Sequence, residues 1–437
     1  MTCSAPPPAA LNRELGLWGA IMLGLGSIVG TGIFVSIGIG AGIAGPAVIL
    51  AIAIAAVIAA LNAFSSAQLA ASHPVSGGTY EYGYAYLHPS LGFTAGWLFL
   101  CAKSASAATA ALGLAGYVLV LLDWGPGYLI PLAVVVVALL TVVVLGDINR
   151  SNRFNMIIIS FTLLALALFV VWGTPDLIDK GRGNLTPFFH HGAGSTNDGG
   201  AFLYAVAVMF VAFTGYGRIA TMGEEVKAPR RTIPRAIILT LMVSAALYMT
   251  VAVVAIGAGG ADALANVTGQ TATPLEAAGN AIGGPFLARI IAVAAITAML
   301  AVLLNLILGL SRVVLAMGRK GDMPPLFAKV RADGGSPSAA VIGVGIVIGA
   351  LALTGSVATT WAFSAFTVLI YYAITNLAAI FLPAEARLYP RSLAILGLLA
   401  CCFVAFWVPR EIWLAGLGLI GLGLVWHLAL TRLWRRR

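Results

Sequence analysis

Glycines interrupt an apolar stretch near the start of this 437-residue chain. Four of the nine residues from Gly24 to Gly32 are glycine, and each glycine costs a helix roughly 0.5–1 kcal/mol relative to alanine. Where a helix unwinds inside a membrane, the amides that begin its second half can bind an anion, and the carbonyls that end its first half can bind a cation. An amino acid zwitterion carries both charges, so the stretch is a candidate binding site for one.

Two other interpretations of these glycines exist. Gly26 and Gly30 have the GxxxG spacing that lets two membrane helices pack closely, and the following Gly-Thr-Gly is what favours a break over simple packing. A dinucleotide-binding loop would need its third glycine one position earlier and a preceding strand, whereas the flanks here are typical of a membrane helix. The dinucleotide interpretation is therefore rejected.

A second interruption, at residues 210–218, follows five apolar spans later. Paired interruptions at corresponding positions of two halves are the best sequence indicator of an inverted-repeat transporter and of its binding site. Phe213 and Tyr216 could line a side-chain pocket there, although aromatic residues in membrane helices more often only pack.

Composition places the chain in a membrane, because 60% of its residues are hydrophobic and 9% are charged. Short loops hold most of the basic residues, so the net charge of +9 indicates topology and not a nucleic-acid partner. With the N-terminus inside, seventeen of the 24 Lys and Arg residues face the cytoplasm and four face outward, which predicts two cytoplasmic termini. Twelve spans of membrane length are predicted, approximately at 17–43, 46–72, 91–121, 128–146, 153–172, 200–222, 233–257, 285–316, 338–354, 357–381, 391–408 and 412–433.

Two features between the spans are also predicted. Long loops rich in Gly, Asn and Thr are expected outside the cell at 173–199 and 258–284. Residues 76–90 are expected to form an interfacial segment at the cytoplasmic face, with four tyrosines at the level of the lipid headgroups.

Four motifs in order resemble those of the amino acid–polyamine–organocation (APC) transporters. The first, Gly-Ser-Ile-Val-Gly-Thr-Gly-Ile-Phe at 26–34, resembles the motif of the family's first helix. The others are Pro-Val-Ser-Gly-Gly-Thr-Tyr at 74–80, Gly-Glu-Glu-Val-Lys-Ala-Pro-Arg-Arg-Thr-Ile-Pro-Arg at 223–235, and the segment from Ser311 to Pro324.

The resemblance implies an all-α membrane fold of twelve transmembrane helices, in which two inverted five-helix repeats have broken first and sixth helices. The implied divisions are a cytoplasmic tail (1–15), a transporter core (16–381, with repeats at about 16–172 and 200–381), and two accessory helices with a basic tail (391–437). It also implies which groups hold the substrate. Ser27, Gly30, Thr31 and Gly32 would bind its carboxylate, carbonyls at Ile28, Val211, Ala212 and Thr214 would bind its ammonium, and Phe213, Gly215 and Tyr216 would complete the site.

Charged residues within the predicted spans are few. Lys103 lies near the middle of the third span and Arg218 just beyond the second break, and a charge at mid-membrane is a functional-site hypothesis by default. Arg218 alternatively pairs with Glu224 or Glu225 as a structural or gating contact. Proton-coupled relatives carry a lysine on the fifth helix where this chain has Thr162, so Lys103 is predicted to supply the coupling charge. The alternatives are a purely structural Lys103, or sodium held by Thr162 with Thr297.

Three other classes of protein compete with a transporter. An enzyme is disfavoured because no buried nucleophile–base pair or metal-ligand cluster is evident, and a channel would favour a repeated pore motif. A non-transporting sensor of the same fold stays open.

The prediction is a multi-pass permease of the plasma membrane that moves amino acids by alternating access, with neutral substrates favoured because no carboxylate lies deep in a span. Acidic or cationic substrates, exchange, and proton or sodium coupling stay open. No cofactor, metal or nucleic acid is expected, and the partners are the amino acid and the lipid bilayer.

Overall fold

A computed structural model describes residues 16–73, 77–146, 152–189, 198–221, 226–330 and 337–434. The predicted N-terminal tail, the partners Glu224 and Glu225 suggested for Arg218, and the last three arginines lie outside these ranges.

Helices dominate the described residues, as the apolar spans predicted. Nine of the helical segments in these ranges are long and apolar enough to cross a membrane, and three shorter apolar helices lie at Leu17–Ile28, Ser338–Ala352 and Arg391–Ala405. The helices are α1 (Leu17–Ile28), α2 (Thr31–Phe34), α3 (Ser36–Ala44), α4 (Val48–Ser72), α5 (Thr79–Tyr86), α6 (Pro89–Leu121), α7 (Leu129–Leu145), α8 (Asn152–Asn184), α9 (Asp198–Phe213), α10 (Gly217–Thr221), α11 (Pro229–Gly259), α12 (Ala261–Gln270), α13 (Pro274–Arg319), α14 (Ser338–Ala352), α15 (Val357–Ile380), α16 (Arg391–Ala405) and α17 (Arg410–Trp434).

The first apolar span is interrupted at its glycines. Helix α1 ends at Ile28, and Val29 leaves the helical region with φ −76° and ψ 99°. Gly30 is extended, with φ −177° and ψ −121°, before α2 begins at Thr31. The chain therefore changes direction between two helical pieces at the residues where the glycine pattern predicts a break.

The second interruption is milder than the first. Helix α9 ends at Phe213, residues Thr214–Tyr216 form one 3-10 turn, and α10 begins at Gly217. The backbone of this segment is tightened and not unwound, because 3-10 hydrogen bonds replace α-helical ones through the turn.

The described residues of the two long loops predicted at 173–199 and 258–284 are largely helical, which corrects the sequence interpretation, and residues 190–197 of the first loop lie outside the described ranges. Helix α8 continues to Asn184 through Pro175. It packs closely on α11, since Asn184 Nδ2 donates to the Gly257 carbonyl at 2.8 Å. In the second segment, α12 and the first turns of α13 replace the loop. Composition alone suggested loops, but tertiary packing of these helices overrides it.

The tyrosines of α5 also differ from the sequence interpretation. Tyr80 and Tyr82 are buried, with 1% and 2% of their surface exposed, and so are not lipid-facing headgroup anchors. The hydroxyls of Tyr80 and Tyr84 each donate to Asp322 Oδ2 at 2.7 Å, and His427 Nδ1 lies 3.2 Å from Asp322 Oδ1. Burial, together with the Asp322 carboxylate, raises the pKa of Tyr80 well above its ordinary value. The Tyr80 hydroxyl therefore stays protonated and donates to Asp322. Through these contacts Asp322, which follows α13, connects α5 with α17.

Candidate substrate-binding site

A cavity of about 320 Å³ lies between the two interrupted helices and extends toward α5 and the last turns of α13. Its walls come from residues far apart in the sequence, including Thr79 on α5, Trp361 on α15 and Arg312 on α13. Most of the residues predicted to bind substrate line it. Those are Ser27, Ile28, Thr31, Gly32, Val211, Ala212, Thr214 and Gly215, and the two predicted charged residues Lys103 and Arg218 line the cavity as well.

The first break presents hydrogen-bond donors to this cavity. Thr31 is 4% exposed, and its Oγ1 has no hydrogen-bond partner among the described residues. After the break, the first backbone amides that donate to a carbonyl are those of Ile33 and Phe34, and both donate to Gly30 O. The amides of Gly30, Thr31 and Gly32 therefore have no acceptor among the described residues. Buried donors without partners are rare, because each costs about 1–3 kcal/mol. Their cluster is therefore suited to an anion that supplies the missing acceptors.

The Ser27 hydroxyl is less available to bind a substrate carboxylate than its position in the sequence suggested. Its hydroxyl donates to the Leu23 carbonyl one turn back, at 3.0 Å. The residue lines the cavity, but a carboxylate would have to displace this bond to receive the hydroxyl proton.

The second break supplies carbonyls on the other side of the cavity. Thr214 Oγ1 donates to Val211 O at 2.8 Å, and Tyr372 Oη lies 3.4 Å from Thr214 O. Val211 O belongs to the last turn of α9 and Thr214 O to the 3-10 turn that follows it, and the negative end of the helix dipole favours a cation there. The turn also touches α1, because a Cβ added to Gly215 would lie 2.2 Å from the carbonyl oxygen of Ser27.

Tyr248 on α11 connects the two breaks and was not found by sequence reasoning. Its hydroxyl donates to Ile28 O at 2.6 Å and lies 3.4 Å from Ala212 O, while its ring packs on Phe213 with the centroids 5.2 Å apart. One hydroxyl thus spans carbonyls from both interrupted helices. No local pattern marks this tyrosine, since α11 is continuous around it.

We expect Tyr248→Phe to lower both the stability of the protein and its affinity for substrate. The Ile28 carbonyl would lose its donor, and the first break would no longer be held in a fixed geometry. The loss of stability should be about 1–3 kcal/mol, the usual cost of an unpaired buried polar group. Tyr117→Phe is the matched control, since Tyr117 Oη donates at 2.8 Å to the carbonyl of Phe34, which does not line the cavity, whereas Ile28 does. Thermal unfolding with and without substrate checks both variants, and equal affinities would contradict the role given to Tyr248.

The cavity wall carries positive but not negative side chains. Lys103, Arg218 and Arg312 line it, and none of the described residues that line it is Asp or Glu. Lys103 Nζ donates to Thr214 Oγ1 at 2.8 Å, which ties α6 to the second break.

Three of the predicted substrate-binding residues do not line the cavity. Gly30 packs against α13, because a Cβ there would lie 2.7 Å from Val302 Cγ2. Phe213 is buried against Tyr248, and the Tyr216 ring packs on Tyr372 with the centroids 5.7 Å apart. The Phe213 and Tyr216 rings therefore pack behind the residues that line the cavity.

Of the two threonines of the sodium alternative, Thr162 borders a gap beside α1 and Thr297 does not. Thr162 borders a narrow gap beside α1 that Gly26, Val29 and Ala298 also border, and its hydroxyl donates to Ile158 O at 2.8 Å. Thr297 does not border that gap, and its hydroxyl donates back to Val293 O at 2.9 Å.

Several wall residues were missed because they come from uninterrupted helices. Trp361 Nε1 donates to Val208 O at 2.8 Å, which fixes α15 against α9. Ser106 and Ser364 share a hydrogen bond of 2.7 Å between α6 and α15. Trp361 and Ser106 are identified only by their position at the cavity, and the wall also includes Ser66, Phe99, Asn305, Tyr371 and Tyr372.

Comparison with known proteins agrees with this architecture. The family model described as amino acid permease matches residues 19–432. An uncharacterized transporter of Mycobacterium tuberculosis is 39% identical over 418 residues, covering 95% of this chain and 91% of the relative. In Bacillus subtilis, the branched-chain amino acid permease BcaP is 32% identical over 340 residues, and a methylthioribose transporter is 32% identical over 343 residues. Each of these two matches covers 74% of this chain and 70% of the relative. The chain therefore belongs to the amino acid permease family, within the APC superfamily.

Proposed function

We propose that this protein is a secondary transporter that carries neutral L-amino acids across the plasma membrane by alternating access. The observation that carries the proposal is the group of unpartnered donors at the first break, where Thr31, with its hydroxyl, and Gly32, with its amide, line the cavity. They suit a substrate carboxylate, and the carbonyls that end α9 across the cavity suit the substrate ammonium.

The proposed architecture has twelve transmembrane helices, with two inverted five-helix repeats at about 16–172 and 200–381 and two accessory helices in 391–437. It is supported by the interruptions after α1 and α9, which fall five spans apart. The concentration of Lys and Arg in alternate loops supports cytoplasmic termini.

Neutral substrates are favoured by the charge of the cavity wall. A cationic side chain would meet Lys103, Arg218 and Arg312 without a carboxylate among the described lining residues. An acidic side chain would be tolerated better and is the second candidate. The relative named for branched-chain amino acids, which have uncharged side chains, agrees with a neutral substrate.

In a competition assay, we expect unlabelled neutral amino acids in excess to suppress uptake of labelled leucine or alanine, whereas arginine and lysine leave it nearly unchanged. The physical reason is repulsion between like charges in a cavity of reduced dielectric constant. Strong competition by arginine or lysine, without competition by neutral amino acids, would show that the substrate class is wrong.

Uptake into sealed proteoliposomes under separate proton and sodium gradients tests the transport function itself. Accumulation driven by a proton gradient supports symport, and uptake only into vesicles preloaded with amino acid supports exchange. Stimulation by sodium would support the alternative site near Thr162. Substrate binding without flux would identify a sensor of the same fold and contradict the proposal.

A further inference from the structure

The ammonium of Lys103 is held at the second break. Lys103 lines the cavity from α6, and its ammonium donates a hydrogen bond of 2.8 Å to Thr214 Oγ1. Thr214 is the first residue of the 3-10 turn, and its hydroxyl donates in turn to Val211 O at 2.8 Å. The ammonium is therefore connected through one hydroxyl to the last carbonyls of α9.

This location is electrostatically suited to one cation. The carbonyl end of a helix attracts positive charge, and α9 is sixteen residues long. No described residue of the cavity wall contributes a carboxylate that could hold a second positive group beside Lys103. The carbonyl groups of the second break are also those assigned above to the substrate ammonium.

We propose that Lys103 holds the position at the second break that the amino group of a substrate would take, so that the two ammonium groups compete for it. This inference rests on the proposed function, because it uses the same cavity and the same orientation of the substrate carboxylate. It has a consequence for substrate class. With Lys103 in place, the site already contains the positive charge that a bound carboxylate needs, and it therefore accepts small carboxylates that lack an amino group.

The remaining geometry is compatible with such a ligand. A carboxylate without an amino group would use the Thr31 hydroxyl and the amides of the first break, while the bond from Lys103 to Thr214 stays in place. An amino acid would instead require Lys103 to move aside or to lose its charge, because two ammonium groups in contact repel each other strongly at low dielectric constant.

Binding of L-leucine and of 4-methylpentanoate, which is leucine without its amino group, tests the inference on the purified full-length protein. We expect the wild type to bind both. In Lys103→Met, which keeps the length of the side chain but removes the charge, the affinity for leucine should rise about tenfold and that for 4-methylpentanoate should fall about tenfold, a conservative figure for a nearby unit charge. A purely structural role for Lys103 would shift both affinities in the same direction.

Arg312→Gln is the matched control, since it removes a positive charge from the cavity wall at an exposed residue of α13. It should lower the affinity for 4-methylpentanoate by less than Lys103→Met does and should not produce the tenfold rise in the affinity for leucine, because among the described residues Arg312, unlike Lys103, does not bond to the second break. Lys103→Arg retains the positive charge, so the ratio of its affinities for leucine and 4-methylpentanoate should stay close to that of the wild type. Thermal unfolding of each variant establishes that it is folded.

The wild-type measurement alone can overturn the inference, whatever the stability of the variants. Leucine binding without 4-methylpentanoate binding would contradict the role of Lys103 and leave the proposed function standing. Binding of 4-methylpentanoate but of no amino acid, lost in Lys103→Met, would contradict the proposed function and support Lys103 as the counter-charge. If the wild type bound neither compound, nor any other amino acid tested in the same assay, both the inference and the proposed function would be overturned.

Discussion

Replacing Thr31 by isoleucine is expected to abolish amino acid binding while leaving the fold intact. The side chain is 4% exposed and borders the cavity, and its hydroxyl has no partner among the described residues. Isoleucine keeps the β-branch but replaces the donor by an ethyl group in the space for the substrate carboxylate. Loss of a hydrogen bond to a charged group alone costs about 1.5–3 kcal/mol, or roughly 10- to 100-fold in affinity, and steric exclusion adds to it.

The rise in unfolding temperature that substrate produces measures this effect, because a ligand stabilises only the state that binds it. Thr31→Ser is the matched control, since it keeps the hydroxyl and removes a methyl group. We expect the serine variant to retain most of the substrate-induced stabilisation and the isoleucine variant to show none. The same stabilisation in the isoleucine variant as in the wild type would refute the assignment of the first break to the carboxylate.

A methyl group at Gly215 should disable the transporter. The added Cβ would lie 2.2 Å from Ser27 O and 2.5 Å from Ser27 C, and these backbone atoms cannot turn away as a flexible side chain could. Gly215→Ala must therefore separate the 3-10 turn from the end of α1 and distort the first break. Overpacking of this kind costs about 1–3 kcal/mol of stability. We expect substrate uptake to be lost even where the variant still folds.

Gly217→Ala provides the comparison within the same segment. The nearest atom to its added Cβ is Tyr372 Oη, at 3.5 Å, which is an ordinary contact. This variant should unfold close to the wild-type temperature and retain uptake. If the two alanine variants behaved alike, the close approach between the two interrupted helices would not be a requirement for transport.

The sequence by itself determined the class of the protein and the position of its first break. The apolar spans predicted membrane helices because about twenty apolar residues are needed to cross a bilayer, and α4, α7, α14 and α15 begin and end within a few residues of the predicted bounds. Four glycines in nine residues located the break after Ile28, since glycine lowers helix stability through the backbone of the residue itself. The apolar spans and the clustered glycines both depend on residues that are close together in the sequence, so they can be recognised without knowledge of the fold.

Only the tertiary structure decided how the site is completed. Tyr248 and Trp361 lie within continuous helices, so nothing near them in the chain shows that their side chains bond to the interrupted segments. The same holds for Lys103, whose sequence position marked it as unusual but did not identify Thr214 as its partner. Gly215 could be recognised as a break, but its close contact with Ser27 is a property of two packed helices. These features depend on distances between residues far apart in the chain, which helix packing sets and sequence spacing does not.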